Sequence, residues 1–424
     1  MHAIEKILAR ASGLESVKEG QIVNADVDIA MLHDRAGPRV MELLKNNDTP
    51  WVNIPEKIAV FFDHDVSPTK LGSATKQREW RLFMKEQNIT RIFDIGSGVS
   101  HIIMPRKGLI APGDLMVGTD SHSTTGGALG AVTTGVGETE MAAVLLTGKL
   151  WFKVPKIVKI ELTGKLKNGV GPKDVSLQLL KILGTGSLIY TAIEYSGSGI
   201  ENMSISDRMV LASMSIQLGA KFAYIKPDKK TFKFCEEAGV KKMNPVYTDD
   251  NYEYKNIIEL DLDEVELLLA LPHGFDNIIP IKEAISVHID QAIIGSCTGG
   301  RYEDLKIAAA LLEGKKIPEG TRLIITVGSR EIYLKALNEG IISILVEAGA
   351  SLNPPRCGPC GSACDGLMGP GEICITNANR NFKGRLGSPE AEIYLASTAS
   401  VAVTAAKGYI SNFSEEDYKK LQNI

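Results

Sequence analysis

Seven short apolar runs, rich in Val and Ile, each stop at a cluster of Gly, Asp, Ser, His, Cys or Arg. They are "KIAVFFDHD", "RIFDIGSGVSH", "LMVGTDSHS", "TAIEYSGSG", "QAIIGSCTGG", "RLIITVGSR" and "EICITNANRNF". Continuous apolar runs of this length describe strands buried on both faces, which occur in parallel sheets covered by helices. Helical periodicity separates several of them, at 138–151, 303–315 and 331–348. The expected class is therefore α/β, with largely parallel sheets. In such sheets ligands gather beyond the carboxyl ends of the strands, which is where these polar clusters fall. Strand-ending turns explain any one cluster, but turns do not require His, Cys and Arg.

A chain of 424 residues is long for a single core, so two or three domains are expected. Breaks are marked weakly, at 151–156 ("WFKVPK") and at 271–284 ("LPHGFDNIIPIKEA"). Residues 1–20 read as an amphipathic opening helix, and the final "SEEDYKKLQNI" as a short exposed helix or fraying tail. A net charge of −4 without a dense basic run argues against a nucleic-acid partner. No secretory h-region and no run of 18 apolar residues is present, so a cytoplasmic protein is expected. Six cysteines and no export signal point to reduced thiols, used for metal or redox chemistry where they cluster.

Cys357, Cys360 and Cys364 lie in the stretch "NPPRCGPCGSACDG". A CxxC pair in a Pro/Gly-rich loop suits a redox dithiol, half of a zinc site, or the corner of an iron–sulfur site. The third thiol could be Cys364, or Cys297 in "IIGSCTGG", where backbone N–H donors at a strand tip would stabilise a thiolate. Cys235 and Cys374 read as structural, in a helix core and a strand. Five of the seven histidines fall in the first third, and four of them, His33, His64, His101 and His122, each lie beside Asp, Ser or Gly. Asp63–His64 and Asp120–His122 can form carboxylate-oriented imidazoles, the arrangement acid–base work requires. Arg380 and Arg385 lie in a polar loop after a strand and suit a substrate with more than one carboxylate. Three thiolates can hold three irons of a 4Fe–4S cluster and leave the fourth open to a hydroxyl and a carboxylate. Loss of water from a 2-hydroxy acid is the reaction class these groups share.

Taken together, "DSH", "GSCT", "CxxC" and "NRNFKGR", in this order, resemble the aconitase superfamily, specifically large subunits of the isopropylmalate-dehydratase type. The similarity runs over essentially the whole chain, including "GSGVSHIIMPRKGLIAPGDLMVGTDSHSTTGGALGAVTTGVGETEMA", "GPKDV" and "IEYSGSGIENMSISDRM". The resemblance implies three α/β/α domains around a cluster site, here 1–154, 155–274 and 275–424. It implies Cys297, Cys357 and Cys360 as cluster ligands, and a 4Fe–4S cofactor with one iron not held by cysteine. His64, Asp63, His101, Asp120 and His122 would do acid–base work, with Glu194 near the departing hydroxyl. His33, Ser121, Asn379, Arg380 and Arg385 would hold substrate. The swivelling fourth domain of fused relatives would be replaced by a separate small subunit, without which the chain is inactive. Related two-subunit enzymes act on homoaconitate, 2,3-dimethylmalate, maleate or citraconate, and one aconitase relative without its cluster binds RNA. Several positions depart from the usual pattern: Gly299 where "GSCTN" is expected, Cys364 near a usual His, and "LASMSIQLGAK" for "TICNMSIEGGA".

Overall fold

A computed structural model describes residues 1–46, 51–68, 70–361, 365–422 and 424. All seven apolar runs form strands, and the sheets they build are mostly parallel. The chain divides into two compact units. The first comprises Met1–Ile95, Ile103–Leu162 and Leu188–Leu260; the second comprises Gly96–Ile102, Thr163–Ser187 and Asp261–Ile424. The crossings at 260–261, 162–163 and 187–188 differ from the break read at 271–284. Residues 271–277 form the turn of a hairpin, Leu268–Ala270 against Ile278–Pro280, in the sheet of the second unit.

In the first unit a five-stranded parallel sheet has the order Arg91–Phe93, Ile58–Phe61, Ile29–His33, Leu115–Gly118 and Val132–Gly135. Strands Ile29–His33, Ile58–Phe61 and Leu115–Gly118 are buried at every residue, as continuous apolar runs require. Strand order reverses between Ile29–His33 and Leu115–Gly118, so the loops after these strands diverge and leave a crevice. His33 ends the first of these strands, Asp63 and His64 follow its neighbour Ile58–Phe61, and Asp120 follows Leu115–Gly118. A four-stranded sheet around Lys156–Thr163, Thr191–Ser196 and Phe222–Ile225 completes the unit, with a two-stranded ribbon, Ile22–Asp26 against Lys149–Lys153.

The second unit is built on a seven-stranded sheet in which five adjacent strands, Glu392–Leu395, Ile373–Thr376, Gln291–Ile294, Arg322–Thr326 and Ala350–Asn353, are parallel. Its order reverses between Gln291–Ile294 and Ile373–Thr376. Cys297 follows the first of this pair and Asn379 the second, while Ala350–Asn353 leads into the Cys357–Cys360 loop.

Three local readings change. The opening helix covers only Ala3–Ala11, because Gly13 at φ +67° turns the chain away. Helix Glu138–Thr147 ends at Gly148, φ +72°, and the following residues pair as the ribbon. The 331–348 pattern is two helices, Arg330–Asn338 and Ile341–Glu347, divided at Gly340 with φ +77°. The tail, read as a short exposed helix or a fraying end, is the former: helix Glu415–Gln422 is held by buried Asp417, which pairs with Lys315 at 2.8 Å. Among the described residues no helix is long and apolar enough to cross a membrane.

Candidate functional site

In the first unit the predicted histidines and aspartates converge. His64 Nδ1 lies 2.7 Å from Asp63 Oδ1, and its Nε2 lies 3.4 Å from Asp120 Oδ2. Burial disfavours a charged ring, but Asp63, aided by Asp120, outweighs it and holds His64 well above the ordinary imidazole pKa. His64 is therefore a protonated ring clamped between two carboxylates. Asp34, which the sequence reading passed over, braces the same corner. Its Oδ1 accepts from the His64 backbone N–H at 3.0 Å and its Oδ2 from Asp65 N–H at 2.8 Å.

His33 stacks on His64 with ring centroids 4.2 Å apart, yet it is the opposite kind of group. Its Nδ1 accepts from the backbone N–H groups of Arg35 (3.2 Å) and Ala36 (3.3 Å), which puts the proton on Nε2, facing the Thr119 carbonyl at 3.1 Å. Burial, reinforced by the neighbouring His64, lowers it to about 4. Neutral His33 presents a fixed tautomer, and His64 carries the charge. His33, Asp34 and His64 lie close enough together for a metal ion, within 4.8 Å. However, the His33 ring and both Asp34 oxygens are already committed to backbone groups.

Asp120 caps the 3-10 segment Ser121–Leu129 by accepting from His122 N–H at 2.7 Å. Ser121 Oγ lies 3.4 Å from His122 Nδ1. At the other ring nitrogen, Gln217 Nε2 donates to His122 Nε2 at 3.1 Å, and both side chains are buried. Gln217 was not singled out from sequence; its only signal was its place in the departing stretch "LASMSIQLGAK". Glu194 stands elsewhere in the unit. Its carboxylate takes His2 Nε2, Tyr254 OH at 2.7 Å and Thr248 Oγ1 at 3.5 Å. His2 Nδ1 accepts from Ile4 N–H (3.0 Å), so Nε2 is the donor. Burial would raise the Glu194 pKa, but the His2 and Tyr254 hydrogen bonds prevail and lower it. The partner the sequence reading missed is thus His2, an N-cap residue fully buried against Tyr224, Tyr252 and Tyr254.

The second unit carries the thiols. Cys297 and Cys360 are buried and Cys357 half-buried, all three free of disulfides. Cys297 follows Ser296, whose φ of +77° bends the backbone so that Thr298 N–H reaches Ser296 Oγ and Gly300 N–H reaches Ser296 O. Asn379 Nδ2 donates to Cys297 Sγ at 3.1 Å, and Arg385 Nη2 points at Cys360 Sγ at 3.8 Å. Arg385 Nε is buried with no hydrogen-bond partner among the described residues, so donor capacity remains beside the thiols. Arg380 is half-buried in the same loop. Lys173, missed as a site residue although "GPKDV" was noted, is buried with Nζ bonded to Thr298 Oγ1, Ala378 O and Asn379 Oδ1. Burial lowers it to about 8, against the pull of Cys297, Asp304 and Cys360. Sulfurs ringed by amide and guanidinium donors and backed by a buried cation suit an anionic sulfur-ligated group, so the donor set fits a cluster. His101 belongs to this unit too, on helix Ser100–Arg106, whose entry is fixed by the bridge between Gly98 and Ser329. Cys364 lies outside the described residues.

The Gly299 departure has a physical cause. A Cβ there would stand 2.3 Å from the Asn377 side chain, which is anchored to Gly295 N–H, Gly299 O and Thr398 Oγ1. Gly299→Asn alone should therefore lower the melting temperature by several degrees, an overpacking cost of about 1–3 kcal/mol or more. Gly299→Asn combined with Asn377→Ser should recover much of it, and the non-additivity is read by melting all three variants. A single variant that melts like the parent would sink this reading.

Comparison with known proteins agrees with the geometry. The family model described as "Aconitase family (aconitate hydratase)" matches residues 5–288 and 282–408. A probable 3-isopropylmalate dehydratase large subunit of Methanothermobacter thermautotrophicus is 44% identical, over 97% of this chain and 98% of its own length. The 3-isopropylmalate dehydratase large subunit 1 of Methanopyrus kandleri is 44% identical, over 96% and 97%. A probable methanogen homoaconitase large subunit of M. thermautotrophicus is 40% identical, over 98% of both. The chain belongs to the aconitase family.

Proposed function

We propose that this member of the aconitase family is the large subunit of a two-subunit, 4Fe–4S-dependent hydro-lyase. It removes and re-adds water on a 2-hydroxy dicarboxylic or tricarboxylic acid, with the interconversion of 2- and 3-isopropylmalate in leucine biosynthesis as the favoured reaction. The observation that carries the reading is the donor-ringed thiol set, with Asn379 on Cys297 and Arg385 on Cys360. Cys297, Cys357 and Cys360 would hold the cluster. When bound, the cluster supplies a Lewis-acidic iron for the substrate hydroxyl and its neighbouring carboxylate.

The protein groups divide the remaining work. His64, held charged between Asp63 and Asp120, keeps a proton available at Nε2 for the departing hydroxyl. Neutral His33 keeps its ring fixed by backbone groups and holds substrate without exchanging a proton near neutrality. His122 is oriented by Asp120 below and Gln217 at Nε2, and Ser121 supplies a hydroxyl beside it. Arg380 and Arg385 supply guanidinium forks for the carboxylates, while His101 remains a second acid–base candidate.

A homoaconitase-type substrate is the second reading, favoured by the 40% identical relative of that name. The two differ in the substituent that the site must accept, not in the chemistry at the hydroxyl. Anaerobic co-expression with an isopropylmalate-type small subunit, followed by assay against a panel of hydroxy acids, tests both. Turnover of 2-isopropylmalate well above homocitrate and homoaconitate is expected, and the large chain alone should be inactive. Iron-free protein after reconstitution would overturn the hydro-lyase reading.

A further inference from the structure

The turn 295–299 carries Cys297 at its centre, and one side chain from a neighbouring strand spans it. Asn377 follows strand Ile373–Thr376, and its backbone N–H donates to Ile293 O at 3.3 Å, so the parallel ladder sets its place. Its Oδ1 accepts from Gly295 N–H at 2.9 Å, two residues before Cys297. Its Nδ2 donates to Gly299 O at 3.0 Å, two residues after Cys297, and to Thr398 Oγ1 at 2.8 Å. A backbone donor on one limb and a backbone acceptor on the other fix which end of the amide faces which. Asn377 is itself buried, so these bonds form in a low-dielectric setting where they are strong.

Such a turn needs holding. Ser296 stands at φ +77°, a left-handed conformation that a residue with a Cβ keeps only where its surroundings over-determine it. Thr298 N–H on Ser296 Oγ (3.3 Å) and Gly300 N–H on Ser296 O (3.0 Å) close the turn from within. Asn377 closes it from outside, tying its two limbs to each other and to the start of helix Thr398–Lys407. The fit leaves no slack, since a Cβ at Gly299 would meet the Asn377 amide at 2.3 Å. Thr398 donates in turn to Asp304, whose other oxygen accepts from Arg301 N–H at 3.0 Å. Arg301 Nε then reaches back to Cys297 O at 3.1 Å. The chain of bonds leaves the turn at Gly299 and returns to it at Cys297.

We infer that Asn377 is a positioning residue for Cys297: by tying Gly295 N–H to Gly299 O it holds the turn in shape before any iron arrives. It acts on the backbone of the turn and not on the sulfur. A turn ordered in advance spares cluster binding the entropy of ordering it. The inference rests on the cluster reading above, and the experiment separates the two.

Full-length parent, Asn377→Leu and Asn377→Asp, all iron-free, are exposed to iodoacetamide at one pH. Peptide mass spectrometry reads the labelling rate of each cysteine. Leu keeps the branched shape without hydrogen bonds, and Asp keeps an acceptor for Gly295 N–H but sets an oxygen against Gly299 O. Cys297 is buried, so it reacts only when its turn opens. Cys374, also buried, lies on the strand that leads to Asn377 and reports on the strand itself. In Asn377→Leu, Cys297 labelling should rise at least about tenfold, the size of losing two ordinary hydrogen bonds, with Cys374 unchanged. Asn377→Asp should show a rise at Cys297 as well. After anaerobic reconstitution with iron and sulfide, both variants should release iron to a chelator faster than the parent. Cys297 labelled at the parent's rate in Asn377→Leu would overturn the inference. So would labelling that rises at Cys374 and Cys235 alike, the mark of a variant unfolded without iron, because it would assign Asn377 to the fold at large. An Asp variant that matches the parent would show that the bond to Gly299 holds nothing, with the same consequence. Parent protein that takes up no iron would strike down the cluster reading instead, whatever the labelling pattern.

Discussion

Cys297→Ala protein, reconstituted anaerobically, should carry no 4Fe–4S cluster and show no hydratase activity, whereas Cys364→Ala should keep both. Cys357→Ala and Cys360→Ala should match Cys297→Ala. The size of the effect follows from ligand count, because three protein sulfurs are the fewest that leave only one iron open. What singles out Cys297 is its surroundings. It is buried at a strand tip, receives an N–H from Asn379 and lies on the backbone turn that Ser296 makes at φ +77°. Cys235 and Cys374 differ in kind. Both are buried, one in a helix and one in a strand, and burial pushes Cys235 up to about 11 and Cys374 higher still, so neither offers a thiolate at neutral pH. Iron and sulfide analysis with visible spectroscopy reads the result. Full cluster content in Cys297→Ala would overturn the ligand assignment.

Much of this was legible because parallel strands leave a simple trace. A run such as "QAIIGSCTGG" states in one line that a buried strand ends and a cysteine follows. The strand-end rule then placed His33, His64, Asp120, Cys297 and Asn379 on the correct side of their sheets. The misses share one physical feature: each is a long-range partner with no local pattern. His2 sits 192 residues from Glu194 and looked like the start of an ordinary helix. Gln217 is 95 residues from His122, in a short 3-10 turn where an amide draws no notice. Lys173 reaches Thr298 and Asn379 across 125 and 206 positions, and nothing in "GPKDV" says that its ammonium is buried. Glu194 shows the same limit: its strand-end position is legible, but not that its carboxylate meets His2 and Tyr254. Strand ends predict where a side chain emerges; they do not say which distant group meets it.

Asp63→Asn should depress kcat by about a hundredfold or more, within the range ascribed to a positioned general acid, while leaving KM and cluster content near those of the parent. The asparagine can still accept from His64 Nδ1, so the ring keeps its place and loses only the charge. That charge is the largest of the influences that raise the His64 pKa against burial. Activity that depends on protonated His64 falls as pH rises through its folded pKa. Because Asp63 raises that pKa, its removal should move the alkaline limb of the rate profile to lower pH. The ring beside it does not confuse the measurement, since His33 titrates near 4 and stays neutral throughout. Stability supplies an independent check, with the sign fixed by linkage. A raised folded pKa contributes stability in full below the unfolded value of about 6.5, and that contribution is lost as pH rises through the folded value. The melting difference between parent and Asp63→Asn should thus be widest on the acid side of that window and shrink toward alkaline pH. His33 acts in the opposite sense: between about 6.5 and 4 the unfolded chain takes up a proton that the folded ring refuses. Asp63 also raises the His33 pKa, so its removal alters that contribution only as pH falls toward about 4, below the window compared. An alkaline limb that stays in place, or a melting difference that grows with pH, would show that His64 is not the proton donor the two carboxylates make it.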